Sequence, residues 1–350
     1  MSEPLLEIED VTIKYGTTDG DLTAVSDASL TIETGEFFGL VGESGCGKTT
    51  LAHSIIGALD ENGRVTSGRI KYRGEEIQSF SERQLNEKIR WKEVSYIPQN
   101  ALDGLDPLQR IKEKAWEIAD IHTDMGKSEA MDRLRELFTI LGLQEDRIAA
   151  YPHELSGGMQ QRAVIALALL LEPKLIIADE PTTALDVIMQ DQVFEYLEEV
   201  QDEFDISIVL ITHDISVVFE SCHRMAILHA GQVAEVGGTT DVYDSPLHPY
   251  SIMLQDAFPD IRYPSQDLGV VEGYPPELYG DVNSCTFADR CPWAIEECHE
   301  AAPALEPTES DRSSDHVAAC IRKDEDLNAE YARSKTAGDR AQATEVDNRE

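Results

Sequence analysis

The chain is poor in basic residues: 29 Lys and Arg stand against 67 Asp and Glu, for a formal net charge of −38 over 350 residues. That balance argues against a nucleic-acid partner, because such binding rests on Lys and Arg neutralising phosphates. Long apolar runs are lacking too. The longest, Ala163 to Leu171, stops at Glu172-Pro173, well short of the ~20 residues that span a bilayer. The opening Met1-Ser2-Glu3-Pro4 carries neither a basic nor an apolar segment, so no secretory leader is expected. A cytosolic chain is therefore expected, unless a partner holds it at a membrane. No acidic block stands out, since the excess is spread along the whole sequence. Such a surface repels itself at low ionic strength and is tolerated when salt screens it, which points to a halophilic, high-salt interior. With 41% hydrophobic residues the core still suffices for one large or two ordinary domains.

What is present begins with Gly42-Glu43-Ser44-Gly45-Cys46-Gly47-Lys48-Thr49, which fits the phosphate-loop pattern G-x-x-x-x-G-K-[ST] at every fixed position. Glycines let the backbone close round an anion, so that N–H groups and the next helix N-terminus point at phosphate oxygens. Lys48 then reaches the β/γ-phosphates and the Thr49 hydroxyl ligates Mg²⁺. The context is right, because the apolar run Glu36 to Val41 predicts a strand before the loop and Thr50 to Ile56 a helix after it.

Before this loop, Leu5 to Lys14 and Thr23 to Ile32 alternate in strand fashion, predicting a small antiparallel sheet with Tyr15 in the turn between them. Tyr15 alone is a loop aromatic, although a flat ring near a nucleotide can stack on a base. After the loop, Val94 to Gln99 predicts a strand entering a loop. From about Asp106 to Leu143 the pattern is helical, with Leu134, Leu137, Phe138 and Leu141 at helical spacing. Next come Ser156, a good N-cap, and Gly157 and Gly158, whose exposed N–H groups make a second anion site at a helix start. The strand Leu175 to Ala178 ends in Asp179 and Glu180, at the edge where α/β sheets place ligands. Asp179 suits Mg²⁺, and Glu180 suits a general base or a water-orienting role. Ala184-Leu185-Asp186, a helix to Glu203, the strand Ile206 to Ile211 and His213 follow.

In this order and spacing the motifs closely resemble the ATP-binding-cassette (ABC) ATPases, over about residues 4 to 240. The resemblance implies an α/β fold: a P-loop core with an N-terminal antiparallel β subdomain, a helical subdomain at about 100–170 and a cassette filling 1–240. It implies that Tyr15 stacks on adenine and that Gly42, Gly45, Gly47, Lys48, Thr49 and Thr50 hold the phosphates. It further implies Mg²⁺ on Thr49, Gln99 and Asp179, catalysis through Glu180, Gln99 and His213, and Asp186 as a further nucleotide-site residue. Ser156, Gly157 and Gly158 should serve a nucleotide held by another subunit, so that one chain cannot complete a site.

After Gly237 comes a Cys-containing extension, expected over 241–322. Ser245-Pro246-Leu247-His248-Pro249-Tyr250, Cys285-x5-Cys291-x6-Cys298 and the distant Cys320 resemble the C-terminal region of oligopeptide/dipeptide importer ATPases, a group that includes nickel importers. This implies an ATPase powering import of peptides, or alternatively nickel, at the cytoplasmic face of the membrane. The partners it implies are a second ABC ATPase in a heterodimer, two membrane permeases and an extracellular substrate-binding protein. The alternative, a soluble ABC ATPase acting on DNA or ribosomes, would bring a long coiled-coil insertion, two cassettes or a basic surface, and none is visible. Four of the six cysteines crowd between Cys285 and Cys320, which in a reducing compartment suggests a metal site before disulfides. A [4Fe–4S] cluster or zinc fits four thiolates. The spacings exceed the C-x2-C of common zinc fingers, and with the resemblance the cluster is the expected occupant. His316 is expected to be a surface or packing residue, and Cys46 and Cys222 to need no special role. Beyond Lys323 the composition predicts a frayed or disordered polar tail, 323–350.

Overall fold

The alternation at the start of the chain folds as β1 (Leu6–Thr17) and β2 (Gly20–Ile32), an antiparallel pair. The computed structural model describes residues 4–100, 104–182, 187–257, 271, 273–331 and 333. Tyr15 lies inside β1, opposite Leu22 and Gly63, and not in the turn the sequence predicts for it. Polar and glycine residues at 18–20 take the turn instead, and the alternation simply runs on past Lys14. β3 (Phe37–Val41), buried at every residue, leads through the phosphate loop into α1 (Lys48–Ile55). β4 (Gly63–Tyr72) and β5 (Glu75–Glu76) return to the first sheet, whose order is β2-β1-β4-β5. α2 (Glu82–Lys88), started by a Ser81/Gln84 capping box, precedes β6 (Val94–Ile97).

The helical segment is α3 (Ile111–His122), α4 (Lys127–Ile140) and α5 (Gly157–Leu169). After it come β7 (Leu175–Asp179), α6 (Val187–Phe204), β8 (Ser207–Thr212), α7 (Ile215–Ser221), β9 (Arg224–His229) and β10 (Gln232–Gly238). The extension holds α8 (Thr239–Asp244), α9 (Pro249–Asp256), α10 (Glu296–Glu300), β11 (Glu306–Pro307) and β12 (Val317–Ala318).

The larger sheet has the order β11-β12-β10-β9-β3-β8-β7-β6, with β9, β3, β8, β7 and β6 parallel. Alternation along β3 divides the core. Phe37 and Val41 pack with Leu137, Phe138 and the other helical residues, whereas Phe38 and Leu40 face Ile13, Val25 and Ile70 of the antiparallel sheet. Parallel strands buried on both faces need such uninterrupted apolar runs. Their carboxyl ends share one edge, where open α/β sheets bind ligands.

The extension is joined to this frame, with β12 pairing β10 through Glu235↔Ala318 and Val236↔Val317. The packing does not stop at 322. Leu327 is buried, and Tyr331 donates from its hydroxyl to Asp256 at 2.9 Å, so this part of the expected tail is held. Residues 332 and 334–350 lie outside the described residues. Among the described residues no helix is long and apolar enough to cross a membrane.

Candidate active site

Gly42 to Gly47 turn the chain from β3 into α1, and the glycines are dictated by space and φ. Gly47 has φ 106°, and a Cβ there would lie 2.3 Å from the Ala24 carbonyl oxygen. α1 has no side-chain cap and no acidic residue in its first turn, so its N–H groups and the positive end of its dipole are left for an anion. Lys48 is buried and its Nζ donates to the Gly42 and Glu43 carbonyls at 2.7 and 3.0 Å, which draws the ammonium across the loop. Thr49 is exposed and Thr50 half-buried at the same helix end.

β7 delivers Asp179 and Glu180 to the edge that β3 opens. Asp179 is buried and accepts a 2.8 Å hydrogen bond from the Tyr96 hydroxyl, which also meets His53 Nε2 at 3.2 Å. Burial and the Asp179 charge raise the Tyr96 pKa, so it stays a donor. Glu180 has φ 44°, the left-handed region that costs a β-carbon residue strain, and its N–H is tied to the Ile211 carbonyl at 2.7 Å. Its carboxylate accepts from Gln99 Nε2 at 2.9 Å and lies 3.3 Å from His213 Nδ1. The hydrogen bond to Glu180 raises the His213 pKa against the opposing effects of burial and Lys48. Gln99, Asp179, Glu180 and His213 thus come from the ends of three neighbouring strands, beside the phosphate loop on a fourth.

Tyr15 sits in the antiparallel sheet, with its ring against Gly63, two rungs from the Ile13↔Val25 pair beside which Gly47 packs. Ser156 caps α5, its Oγ accepting the Met159 N–H at 3.4 Å. Ser156 and Gly157 are exposed and Gly158 is packed under Met189. Among the described residues no hydrogen bond joins this second anion site to the phosphate loop. Asp186 lies outside the described residues.

Reasoning from the sequence missed Tyr96 and His53, which support Asp179, and it missed the partners of Glu43. The Glu43 carboxylate is gripped by Arg290 at 2.7 and 2.9 Å, and its N–H donates to the Tyr250 hydroxyl at 3.1 Å. Tyr250 had a signal in its His-Pro-Tyr element, but nothing in spacing couples residue 43 to 290. His316 is a packing residue with a partner, its Nε2 lying 2.7 Å from the buried Glu235 carboxylate.

Cys285, Cys291, Cys298 and Cys320 line one apolar cavity with Phe287, Trp293 and His248. Arg322 N–H donates to Cys320 Sγ at 3.4 Å, and backbone N–H groups of Phe287 and Trp293 serve Cys285 and Cys291. Burial pushes the Cys291 thiol up to about 11 and Cys320 up to about 12, so bare thiolates are disfavoured. Among the described residues no three His, Cys, Asp or Glu donors gather closely enough to hold one metal ion.

The family described as ABC transporter matches residues 25–183, and that described as oligopeptide/dipeptide transporter, C-terminal region, matches 234–298. The chain is 41% identical over 325 residues to the oligopeptide transport ATP-binding protein OppD of Salmonella typhimurium, covering 92% of this chain and 95% of that one. It is 35% identical over 333 residues to the dipeptide transport ATP-binding protein DppD of Bacillus subtilis, covering 94% and 97%. Among solved structures, the dimeric bacterial ABC transporter cassette MJ0796 superposes with a TM-score of 0.60 at 30% identity, covering 67% of this chain and 98% of that one.

Proposed function

The chain belongs to the ABC transporter ATP-binding family, in the branch of the oligopeptide and dipeptide transport ATP-binding proteins, and from that premise we propose how its residues share the work. It is the ATP-hydrolysing subunit that powers import of oligopeptides or dipeptides, a peripheral protein at the cytoplasmic face of the membrane. Its partners are membrane permeases and a substrate-binding protein. The observation that carries the mechanism is the single sheet edge that holds the phosphate loop beside Asp179, Glu180, Gln99 and His213.

In this reading Tyr15 stacks on the adenine, while Lys48, the loop N–H groups and the α1 N-terminus bind the phosphates. Thr49 and Asp179, with Gln99, would hold Mg²⁺, which would supply charge neutralisation of the phosphates. Glu180 orients the attacking water and receives its proton, and His213 contacts the γ-phosphate. Ser156, Gly157 and Gly158 close over the nucleotide of a second, different ATPase subunit, and Asp186 completes the site. Closure needs the γ-phosphate, and hydrolysis lets the pair reopen.

Docking on the permeases is assigned to the Gln99 loop and the helical layer. There Leu108 (86% exposed) and Ile121 (65% exposed) accompany a groove lined by Trp116 and Met131. An Ile121→Asp substitution that leaves permease co-purification intact contradicts that assignment. The four-cysteine pocket is proposed to hold a [4Fe–4S] cluster in preference to zinc, and an iron and acid-labile sulfide assay is its test.

Glu180→Gln tests the catalytic assignment. It is expected to bind ATP, to stay locked in ATP to the second ATPase subunit and to lose turnover by about 10²–10⁴-fold. Near-normal steady-state hydrolysis removes Glu180 from the role.

A further inference from the structure

Glu43 occupies the first variable position of the phosphate loop, and both its carboxylate and its amide are held by the C-terminal extension. The two Arg290 terminal nitrogens form a fork on the carboxylate at 2.7 and 2.9 Å, and the Tyr250 hydroxyl receives the Glu43 N–H at 3.1 Å. Arg290 is itself fixed. Its side chain is 9% exposed, it meets His229 Nε2 at 3.0 Å and the Val271 carbonyl at 3.3 Å, and its guanidinium lies against the Phe287 ring. Tyr250 is fully buried against the same Phe287 and His229 rings. A bidentate Arg–carboxylate pair is the most directional of ion pairs. A free carboxylate at this point of the loop would repel a triphosphate, and a loop residue without anchors would have to be ordered on binding.

We propose that Arg290 is a positioning residue for nucleotide binding, neutralising Glu43 and, with Tyr250, fixing the phosphate loop from the extension. The extension is then part of the nucleotide site as well as an appendage to it. The turn that carries Arg290, Ala288–Arg290, runs directly into Cys291, so the fork and the cysteine pocket share one stretch of chain. This inference rests on the loop being a nucleotide site.

The test measures ATP affinity of the full-length protein by displacement of a fluorescent ATP analogue, together with KM and kcat for hydrolysis by the assembled pair of ATPase subunits at fixed salt. Arg290→Gln is expected to weaken binding and raise KM roughly ten-fold, with kcat within about two-fold, since the pair lies on the binding side of the reaction. Adding Glu43→Gln should restore affinity to within roughly three-fold of the parent, because the uncompensated charge is gone. A merely structural role would give no such rescue. Unchanged affinity in Arg290→Gln, or a double variant as weak as the single, overturns the proposal. Should Arg290→Gln fail to fold, Arg290→Lys keeps the charge but loses the fork, and a loss of roughly three-fold is expected. Parental affinity in Arg290→Lys then overturns it. A parent chain that binds no ATP fails the nucleotide-site reading itself, whereas a parent that binds with insensitive Arg290 variants fails only this inference.

Discussion

His229 and His248 show what burial does to single residues in this chain. Burial, with Arg290 beside it, lowers His229 to about 3, and burial lowers His248 to about 4. His248 Nδ1 accepts the Tyr250 N–H at 3.0 Å, capping α9 as a neutral ring. An unfolded chain protonates both near 6.5. The unfolded state therefore binds more protons below that pH, so the stability the rings contribute is present above about 6.5 and is lost as pH falls toward 4. Urea denaturation should show midpoints falling from pH 7 to pH 5, by up to about 2 kcal/mol for each histidine. A His248→Asn variant with the same acid sensitivity as the parent would contradict this account of that residue. Motif residues were legible at this scale, because Lys48, Asp179 and Glu180 carry chemistry that fixed spacings reveal. Arg290 and Tyr96 were not, since their work depends on which distant segments of the chain meet: a turn of the extension with the phosphate loop, and β6 with the end of β7.

At the scale of elements, periodicity was a good guide where one face or two faces of a strand are buried. The uninterrupted runs of β3, β7 and β8 are parallel strands, and the alternation of β1 and β2 is an antiparallel pair. Boundaries were less legible. The alternation of β1 carries Tyr15 into the strand, and the helical stretch breaks into α3 and α4 at residues 123–126. The extension's attachment through β12 could not be read from two residues, Val317 and Ala318, because so short a strand has no pattern of its own. The cysteine pocket belongs here too, because it draws residues from the turn before α10, from α10 itself and from the chain after β12. Protein prepared anaerobically is expected to contain iron and sulfide in equal amounts, and chelation should lower the melting temperature of the extension. Zinc at one per chain with no sulfide would contradict the cluster assignment.

The whole molecule carries a net charge of −38, and we propose that it works in a high-salt interior. Screening shortens to about 3 Å at 1 M salt, so self-repulsion across the surface fades there and grows as salt is removed. Melting temperature and ATPase activity are expected to fall together on dialysis into low salt, and a fold and activity indifferent to salt would refute the proposal. Leu108 and Ile121, exposed apolar side chains on the helical layer, fit a subunit that works on partners. Purifying the tagged chain from gently solubilised membranes in high salt, and identifying what accompanies it, shows whether ATP-driven closure and reopening here power a peptide importer. Two multi-span permeases and a second ATPase bearing a His-Pro-Tyr element are predicted. Recovery only in the soluble fraction, with ribosomal or DNA-repair proteins, would contradict it.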